Sequence, residues 1–199
     1  MAKFKMTVYD VPNYPIDKYI EELVELMEEI QSKKDNIYEV PFSELSQIQF
    51  ELDTSPDESI EIFNEKYSYA QSHYNRVSYI LMQVKKELKN WQFYKGRLKI
   101  LYRKAKNLLL INRPDIKALR NQTLQEAAIQ YELDDLLDML EWLDVIIDGI
   151  KHDVDIVTIK MDTLDKAIIN LNRQQRVVED EMALNGVIGI KGIKSQMIR

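Results

Sequence analysis

Apolar residues recur every three or four positions along two stretches of the chain, each about 50 residues long. The first series reads Ile60, Phe63, Tyr67, Ala70, Tyr74, Val77, Leu81, Val84, Leu88, Trp91, Lys95, Leu98, Tyr102, Ala105 and Leu109. The second reads Leu133, Leu136, Leu140, Leu143, Ile147, Ile150, Val154, Val157, Met161, Leu164, Ile168, Leu171, Gln175, Val178 and Met182. Only Lys95 and Gln175 interrupt this pattern, which is typical of coiled-coil helices.

The two series have equal length, which favours an antiparallel pair of helices, each roughly 75 Å long at the α-helical rise. We place the bend between residues 110 and 132, after the sequence Asn112-Arg113-Pro114. Residues 85–109 would then lie beside residues 133–157. The fold class predicted is therefore all-α: an elongated antiparallel helical hairpin, or coiled coil, with a smaller helical region at the N-terminus.

The flanking segments complete a three-part organisation. Residues 1–55 are predicted to hold an extended arm up to residue 15, an acidic amphipathic helix over 16–33 and a short helix near Phe42–Glu51. The hairpin takes residues 56–185, beginning at Ser55-Pro56, where serine can cap the helix and proline suits its first position. Residues 186–199 contain three Gly among Ile and Lys, and we expect them to form a flexible tail.

Composition favours a reducing, cytoplasmic setting. The chain has no Cys, which excludes disulfides and thiol catalysis, and its N-terminal residues do not match a signal peptide. No run of 18 uncharged apolar residues is present, so we expect no membrane span. Nucleotide-binding and hydrolase motifs are also absent, and the two histidines, His73 and His152, lie on different predicted helices. We expect neither an enzyme nor a cofactor or metal.

The charge is distributed unevenly along the chain. The net charge is −6 overall, but residues 85–122 hold 12 basic and 2 acidic residues, a local net charge of +10. Residues 1–84 have a net charge of −9 and residues 123–199 of −7. Aromatic residues are interleaved with the cations of the basic stretch: Trp91, Phe93, Tyr94 and Tyr102. Cations that neutralise phosphates, next to rings that stack on unpaired bases, suit single-stranded nucleic acid.

A structural explanation of the same charges is equally compatible with the sequence. The segment predicted to pair with the basic stretch is acidic, with Lys151 as its single basic residue. The cations could therefore fix helix pairing instead of binding a ligand. Trp91 and Tyr102 fall on the apolar seam and are expected in the core, whereas Phe93 and Tyr94 fall off it. A helix has several faces, so both roles can coexist.

The segment from Asn90 to Arg97, which reads NWQFYKGR, resembles the aromatic-pair, one-residue, Gly, Lys/Arg motif of UvsY-type recombination mediators of tailed phages. Members of that family also carry an Asp-x-Ile-Lys stretch on a later helix, followed by a second Ile-Lys. Asp148-Gly149-Ile150-Lys151 and Ile159-Lys160 are similar to these. The resemblance covers about residues 66–165. This chain departs from the family in its acidic N-terminal extension, its longer seams and the His152-Asp153 that follows Lys151.

The resemblance implies a non-enzymatic helical protein that forms rings and binds single-stranded DNA. Such a protein weakens the hold of single-strand-binding protein and helps to load a RecA-like recombinase, here in the host cytoplasm if the chain is phage-encoded. By this match Lys95 and Arg97 would contact DNA, with Phe93 and Tyr94 beside them. Charge alone adds Lys89, Lys99 and Arg103 to the candidate site. We expect Lys95 and Arg97 to face solvent.

Two hypotheses follow. One is a single-stranded DNA-binding recombination mediator, and the other is a structural or scaffolding coiled-coil protein, such as one of a phage virion, with no nucleic-acid role. Both predict a homo-oligomer, because two long helices cannot bury broad apolar faces on each other alone. The tyrosines spread around the first helix are typical of interfaces: Tyr67, Tyr69, Tyr74 and Tyr79.

Overall fold

The computed structural model describes residues 16–48 and 60–196, and every regular element in these residues is a helix. The helices are α1 (Ile16–Lys34), α2 (Phe42–Gln47), α3 (Ile60–Asn112), α4 (Pro114–Lys117), α5 (Gln122–Glu132) and α6 (Asp134–Gln196). The all-α fold class is therefore confirmed. The predicted extended arm and the predicted helix start at Ser55-Pro56 lie outside the described residues.

The two long helices pack against each other along the predicted seams. Residues 62–112 of α3 and 134–181 of α6 form the antiparallel pair, and every seam residue whose burial the structure describes is buried or half-buried. Trp91, Leu98, Leu143 and Val157 are at most 1% exposed. Burying such side chains removes apolar surface from water, which stabilises the pair by about 25 cal/mol for each Å² buried. The seam therefore supplies the main stabilisation of the pair.

The chain divides into two compact units, and both long helices pass through both of them. The first unit contains α1, residues 85–112 of α3, α4, α5 and residues 134–152 of α6. The second contains α2, residues 60–84 of α3 and α6 from residue 153 onwards. The antiparallel direction is evident in the first unit, where Leu109 and Leu133 line the same cavity and Lys95 pairs with Asp144. In the second unit Phe63 and Ala70 of α3 cluster with Leu171 of α6.

In the first unit α1 packs beside α3 as a third helix. Its apolar face is buried through Leu26 and Ile30, which are 0% and 1% exposed. Ion pairs tie its outer edge to α3, since Lys104 lies 3.2 Å from Glu22 and Arg97 lies 3.3 Å from Glu29. The order of these partners shows that α1 runs antiparallel to α3. The predicted amphipathic helix over 16–33 is thus confirmed, and its apolar face contributes to the core.

In the second unit the short helix α2 is fixed at three points. Leu45 is buried at 4% exposure, and the guanidinium of Arg76 on α3 makes two hydrogen bonds of 2.7 and 2.9 Å to the carboxylate of Glu44. Past the end of α2, the Lys160 ammonium of α6 donates to the backbone carbonyl of Ile48 at 2.5 Å. A six-residue helix is marginal by itself, so these tertiary contacts hold it in place.

The connector between the long helices folds into two helices of its own. Pro114 occupies the first turn of α4, where its missing N–H costs nothing, and the Asn121 side chain accepts a hydrogen bond of 2.8 Å from the backbone N–H of Thr123 to cap α5. Arg113 joins the two ends of the connector, because its guanidinium reaches both Asp115 at 2.9 Å and Glu132 at 3.0 Å. The bend lies where the sequence predicts it, but its helices were not foreseen.

Residues 186–196 belong to α6, although their three glycines predict a flexible tail. Three glycines each cost about 1 kcal/mol in a helix, which weakens helix formation but does not forbid it. No proline follows Pro114 anywhere in the chain, so nothing blocks the continuation of the backbone hydrogen bonds. None of the described helices has an apolar stretch long enough to cross a bilayer.

Candidate nucleic-acid interface

One face of α3 in the first unit is exposed and basic. We call it the basic stripe, and its exposed members are Lys85, Lys86, Lys89, Phe93, Gly96, Lys99, Ile100 and Arg103. Apart from the adjacent pairs Lys85-Lys86 and Lys99-Ile100, they recur every three or four residues, which places them on one side of the helix, away from the seam that packs on α6. From Lys85 to Arg103 the stripe extends for about 27 Å at 1.5 Å per residue.

No carboxylate of α3 lies on this face. Residues 85–112 contain a single acidic residue, Glu87, and its carboxylate accepts a hydrogen bond of 2.7 Å from the Trp91 indole N–H at the edge of the core. Within the described residues, none of the five stripe cations forms an ion pair with a carboxylate. Their positive charge is therefore directed at solvent, where it can attract an anionic ligand.

The structure separates the seven predicted site residues into two groups. Lys89, Phe93, Lys99 and Arg103 lie on the basic stripe and are exposed. Tyr94, Lys95 and Arg97 take part in contacts with α1 and α6. The three residues added from charge alone are thus accessible, as is Phe93, whereas three of the four candidate residues from the Asn90–Arg97 motif contact other helices of the first unit.

Tyr94 falls off the seam of the two long helices, yet it is only 5% exposed. Its hydroxyl donates a hydrogen bond of 2.7 Å to Glu29 on α1, and the ammonium of Lys33 lies 5.3 Å from the centre of its ring. Burial raises the pKa of the Tyr94 hydroxyl, and the hydrogen bond to Glu29 raises it further, against an opposing effect of Lys33. In this conformation the ring packs between helices and offers no face for a base.

The expectation that Lys95 faces solvent is wrong. Its side chain is 17% exposed and pairs with the carboxylate of Asp144 on α6. Position 95 belongs to the seam, and a residue there is carried into the helix interface whatever its polarity. Burial lowers the pKa of Lys95 from its ordinary value, and the positive charge of Lys99 nearby lowers it further. Lys95 therefore links the two long helices across their interface.

Arg97 is partly accessible, with 40% of its side chain exposed. Besides its ion pair with Glu29, its guanidinium lies 5.8 Å from the centre of the Phe93 ring. Planar guanidinium groups stack on aromatic faces in this way. The contact orients the Phe93 ring, which is 61% exposed and is the accessible aromatic member of the stripe.

Of the two remaining aromatic residues of the stretch, Trp91 belongs to the core and Tyr102 is half-buried. Trp91 is 1% exposed, as its seam position predicts, and its ring meets Trp142 of α6 edge to face, with ring centres 5.7 Å apart. The Lys34 ammonium of α1 lies 5.2 Å from the Trp142 ring centre. This cluster joins α1, α3 and α6 and holds the helix that displays the basic stripe.

The second pair of sequences that resembles the UvsY-type motifs, Asp148–Lys151 and Ile159-Lys160, does not extend the stripe. Ile150 is buried at 5% exposure, and Lys151 makes an ion pair of 2.8 Å with Asp148, which lowers the pKa of that carboxyl. Lys160 belongs to the second unit, where it holds the end of α2. Both lysines therefore have carboxylate or carbonyl partners within their own unit.

Part of the basic stretch takes part in helix packing. Lys95, Arg97, Lys104 and Arg113 make ion pairs with acidic residues of α1, α4, α5 or α6, as the pairing hypothesis predicts. That hypothesis anticipated α6 as the partner, but α1 supplies two of these carboxylates. Within the described residues, the five stripe cations take no part in these ion pairs. Lys85 and Lys86 were not among the predicted site residues, and their spacing from Lys89 was the signal that could have found them.

Among the described residues, no three His, Asp or Glu side chains lie close enough together to hold a metal ion. Comparison of the chain with protein-family models, with curated proteins and with solved structures gave no match.

Proposed function

We propose that this chain is a non-enzymatic protein that binds single-stranded DNA on the basic stripe of α3. The observation that supports the proposal is the set of five exposed cations on one helix face, without a carboxylate of α3 among them and with Phe93 in their midst. The cations would neutralise backbone phosphates and release counterions, which binds nucleic acid without regard to sequence.

Single strands are favoured over duplex because the stripe also presents apolar side chains. Phe93 and Ile100 are 61% and 55% exposed at the middle of the stripe. Unpaired bases can stack on such groups, whereas bases inside a duplex have no free face. A duplex would meet the same cations but would leave these apolar groups in contact with its charged backbone.

We further propose that the biological role is that of a recombination mediator, which assembles with a RecA-like recombinase and acts on strands covered by single-strand-binding protein. This role rests on the resemblance of residues 90–97 and 148–160 to the motifs of UvsY-type proteins. The protein partners are part of this proposal only. Strand binding by the stripe is the step on which the rest depends, so it is tested first.

The test compares two triple variants that remove the same charge. The first replaces Lys89, Lys99 and Arg103 with Gln. The control replaces Lys166, Arg173 and Arg176 with Gln, which are exposed cations of α6 outside the basic stretch. Both should remain folded, because exposed substitutions usually change stability by about 0.5 kcal/mol or less each. Binding of a fluorescent single-stranded oligonucleotide is measured at several salt concentrations.

We expect the stripe variant to bind more weakly at low salt and the slope of log affinity against log salt to flatten by about 2, at about 0.7 per lost phosphate contact. The control should keep the slope of the parent. Equal slopes for both variants would show that the strand is held elsewhere, and an absence of binding by the parent at low salt would refute the proposal.

A structural coiled-coil assembly protein is the second candidate. It is favoured by the ion pairs that Lys95, Arg97 and Lys104 make within the first unit, which show that part of the basic stretch serves helix packing. Under this alternative the parent shows no useful affinity for DNA. The same triple variant would then change the association of the protein with itself instead.

A further inference from the structure

The basic stripe has a gap at its centre. Gly96 is exposed, and a Cβ built on it would meet no atom within 4 Å apart from its two chain neighbours and the adjoining backbone of its own helix. Its backbone is helical, without the positive φ that would require glycine. Glycine costs about 1 kcal/mol relative to alanine inside a helix, so local structure gives no reason for a glycine here. Its one geometric effect is to leave the surface open.

Three side chains border this gap. Phe93 lies one turn before Gly96 and Ile100 one turn after it, both on the exposed face. They are seven residues apart, which is about 10.5 Å along the helix axis. Arg97 occupies the side toward α1, where Glu29 and the Phe93 ring hold its guanidinium. Phe93, Arg97 and Ile100 are thus the neighbours of Gly96 on the exposed face, and the surface above the glycine is open to solvent.

We propose that this gap, bounded by Phe93, Arg97 and Ile100 over Gly96, receives one unpaired base of the bound strand. The inference rests on the proposed function and assigns its central contact. The base would stack against Phe93 and cover Ile100, and the cations on either side, Lys89 toward the N-terminus and Lys99 and Arg103 toward the C-terminus, would hold the flanking phosphates. This arrangement suits a nucleotide, because the cations can pair with its phosphate and the apolar side chains can contact the face of its base.

Substitution of Gly96 tests the proposal without disturbing the fold. Gly96→Gln would place an uncharged side chain in the gap, whereas Gly96→Ala would add a single methyl group and leave most of it open. Gly149 provides a matched control, because it is also an exposed glycine within a long helix of the first unit and also has open space around it. Gly96→Gln and Gly149→Gln should both leave the protein folded and raise its melting temperature slightly, since glutamine forms helix better than glycine.

Affinity is measured with oligo-dT and with a strand of the same length that lacks bases. We expect Gly96→Gln to weaken oligo-dT binding by roughly 5- to 150-fold, the loss that one base–aromatic stack corresponds to. Gly96→Ala and Gly149→Gln should bind within about twofold of the parent, given that neither fills the gap. Affinity for the baseless strand, and the salt slope on both strands, should stay unchanged in all variants because no cation is altered.

The outcomes separate this inference from the proposed function. If the parent binds oligo-dT but Gly96→Gln binds it equally well, the gap does not hold a base and the stripe acts through its charges alone. If Gly96→Gln changes the sedimentation of the protein and leaves DNA binding intact, the gap receives a side chain of a second copy, and the inference is overturned. If the parent binds neither strand, the proposed function itself fails.

Discussion

At the residue scale, Tyr94 shows how a third helix changes the role of a residue. Its position off the seam of α3 and α6 predicts exposure for a two-helix hairpin, but α1 covers it and Glu29 accepts its hydroxyl hydrogen bond. Lys95, one position later, is on the seam and pairs with Asp144. Neighbouring residues of one motif thus contact different helices, and only Phe93 keeps an exposed ring.

We predict that Tyr94→Phe lowers the free energy of unfolding by about 0.5–1.5 kcal/mol near neutral pH, the usual net contribution of such a hydrogen bond. Burial and Glu29 raise the pKa of Tyr94, so the folded protein keeps this proton to a higher pH than the unfolded chain does. The stabilisation is complete below the unfolded pKa of about 10 and is lost as the pH rises through the folded value. Thermal melts between pH 8 and 11 should therefore show a smaller alkaline loss of stability in Tyr94→Phe than in the parent.

Tyr131→Phe is the control for this prediction, since Tyr131 is 83% exposed. It should reproduce the melting curve of the parent across the same pH range. An identical alkaline loss in Tyr94→Phe and the parent would mean that the Tyr94 hydroxyl does not couple folding to pH.

At the element scale, α1 completes the core of the first unit. Its apolar residues Leu26 and Ile30 are nearly inaccessible, and its acidic edge pairs with Arg97 and Lys104. The acidic face of α1 is therefore in direct contact with the basic stretch. It neutralises the cations on one side of α3 and leaves those of the stripe exposed.

We predict that Leu26→Ala lowers the free energy of unfolding by about 2–5 kcal/mol, because it removes a fully buried side chain and leaves a cavity between helices. Val24→Ala is the matched control on the same helix, since Val24 is 45% exposed and its truncation should change stability by about 0.5 kcal/mol or less. Urea denaturation followed by circular dichroism measures both. Equal midpoints for the two variants would show that α1 contributes little to the stability of the unit.

At the scale of the whole molecule, the net charge of −6 does not apply to every part of the chain, because the charged residues are unevenly distributed. In the first unit, carboxylates of α1 and α6 pair with one side of α3, while the exposed face of residues 85–103 is basic. A net-acidic protein can therefore carry a local surface suited to an anionic ligand, because screening at physiological salt limits the reach of a charge to about 8 Å.

We predict that the chain self-associates at tens of micromolar, with a sedimentation mass above the 23.6 kDa of one copy. Tyr79 and Met82 are 50% and 57% exposed and lie three residues apart on one face of α3, and aromatic residues and methionine are enriched at protein interfaces. Replacing both with Gln should shift the mass toward that of one copy. Ile159→Gln, at one of the exposed apolar positions of α6, serves as the control. A parent that sediments as one copy would contradict the prediction.

The sequence by itself determined the two long helices, their antiparallel pairing, the position of the bend and the amphipathic α1. These features follow from periodicity, since a residue every three or four positions must share a helix face and an apolar face must be buried. The seam positions of Trp91, Leu98, Leu143 and Val157 could be read directly and are buried. The concentration of cations in α3 was equally visible, because charge is a local property of the chain.

Only the tertiary structure decided which of those cations are accessible. Lys95, Arg97, Lys99 and Arg103 are all cations of the same stretch of α3. Lys95 and Arg97 meet carboxylates of α6 and α1, whereas Lys99 and Arg103 form no ion pair within the part of the chain that the structure describes. The docking of α1 on α3, which buries Tyr94, is a contact between residues about 65 positions apart. Periodicity within one helix carries no information about which other helix will cover a given face, so the accessible site is determined by long-range packing and not by the motif alone.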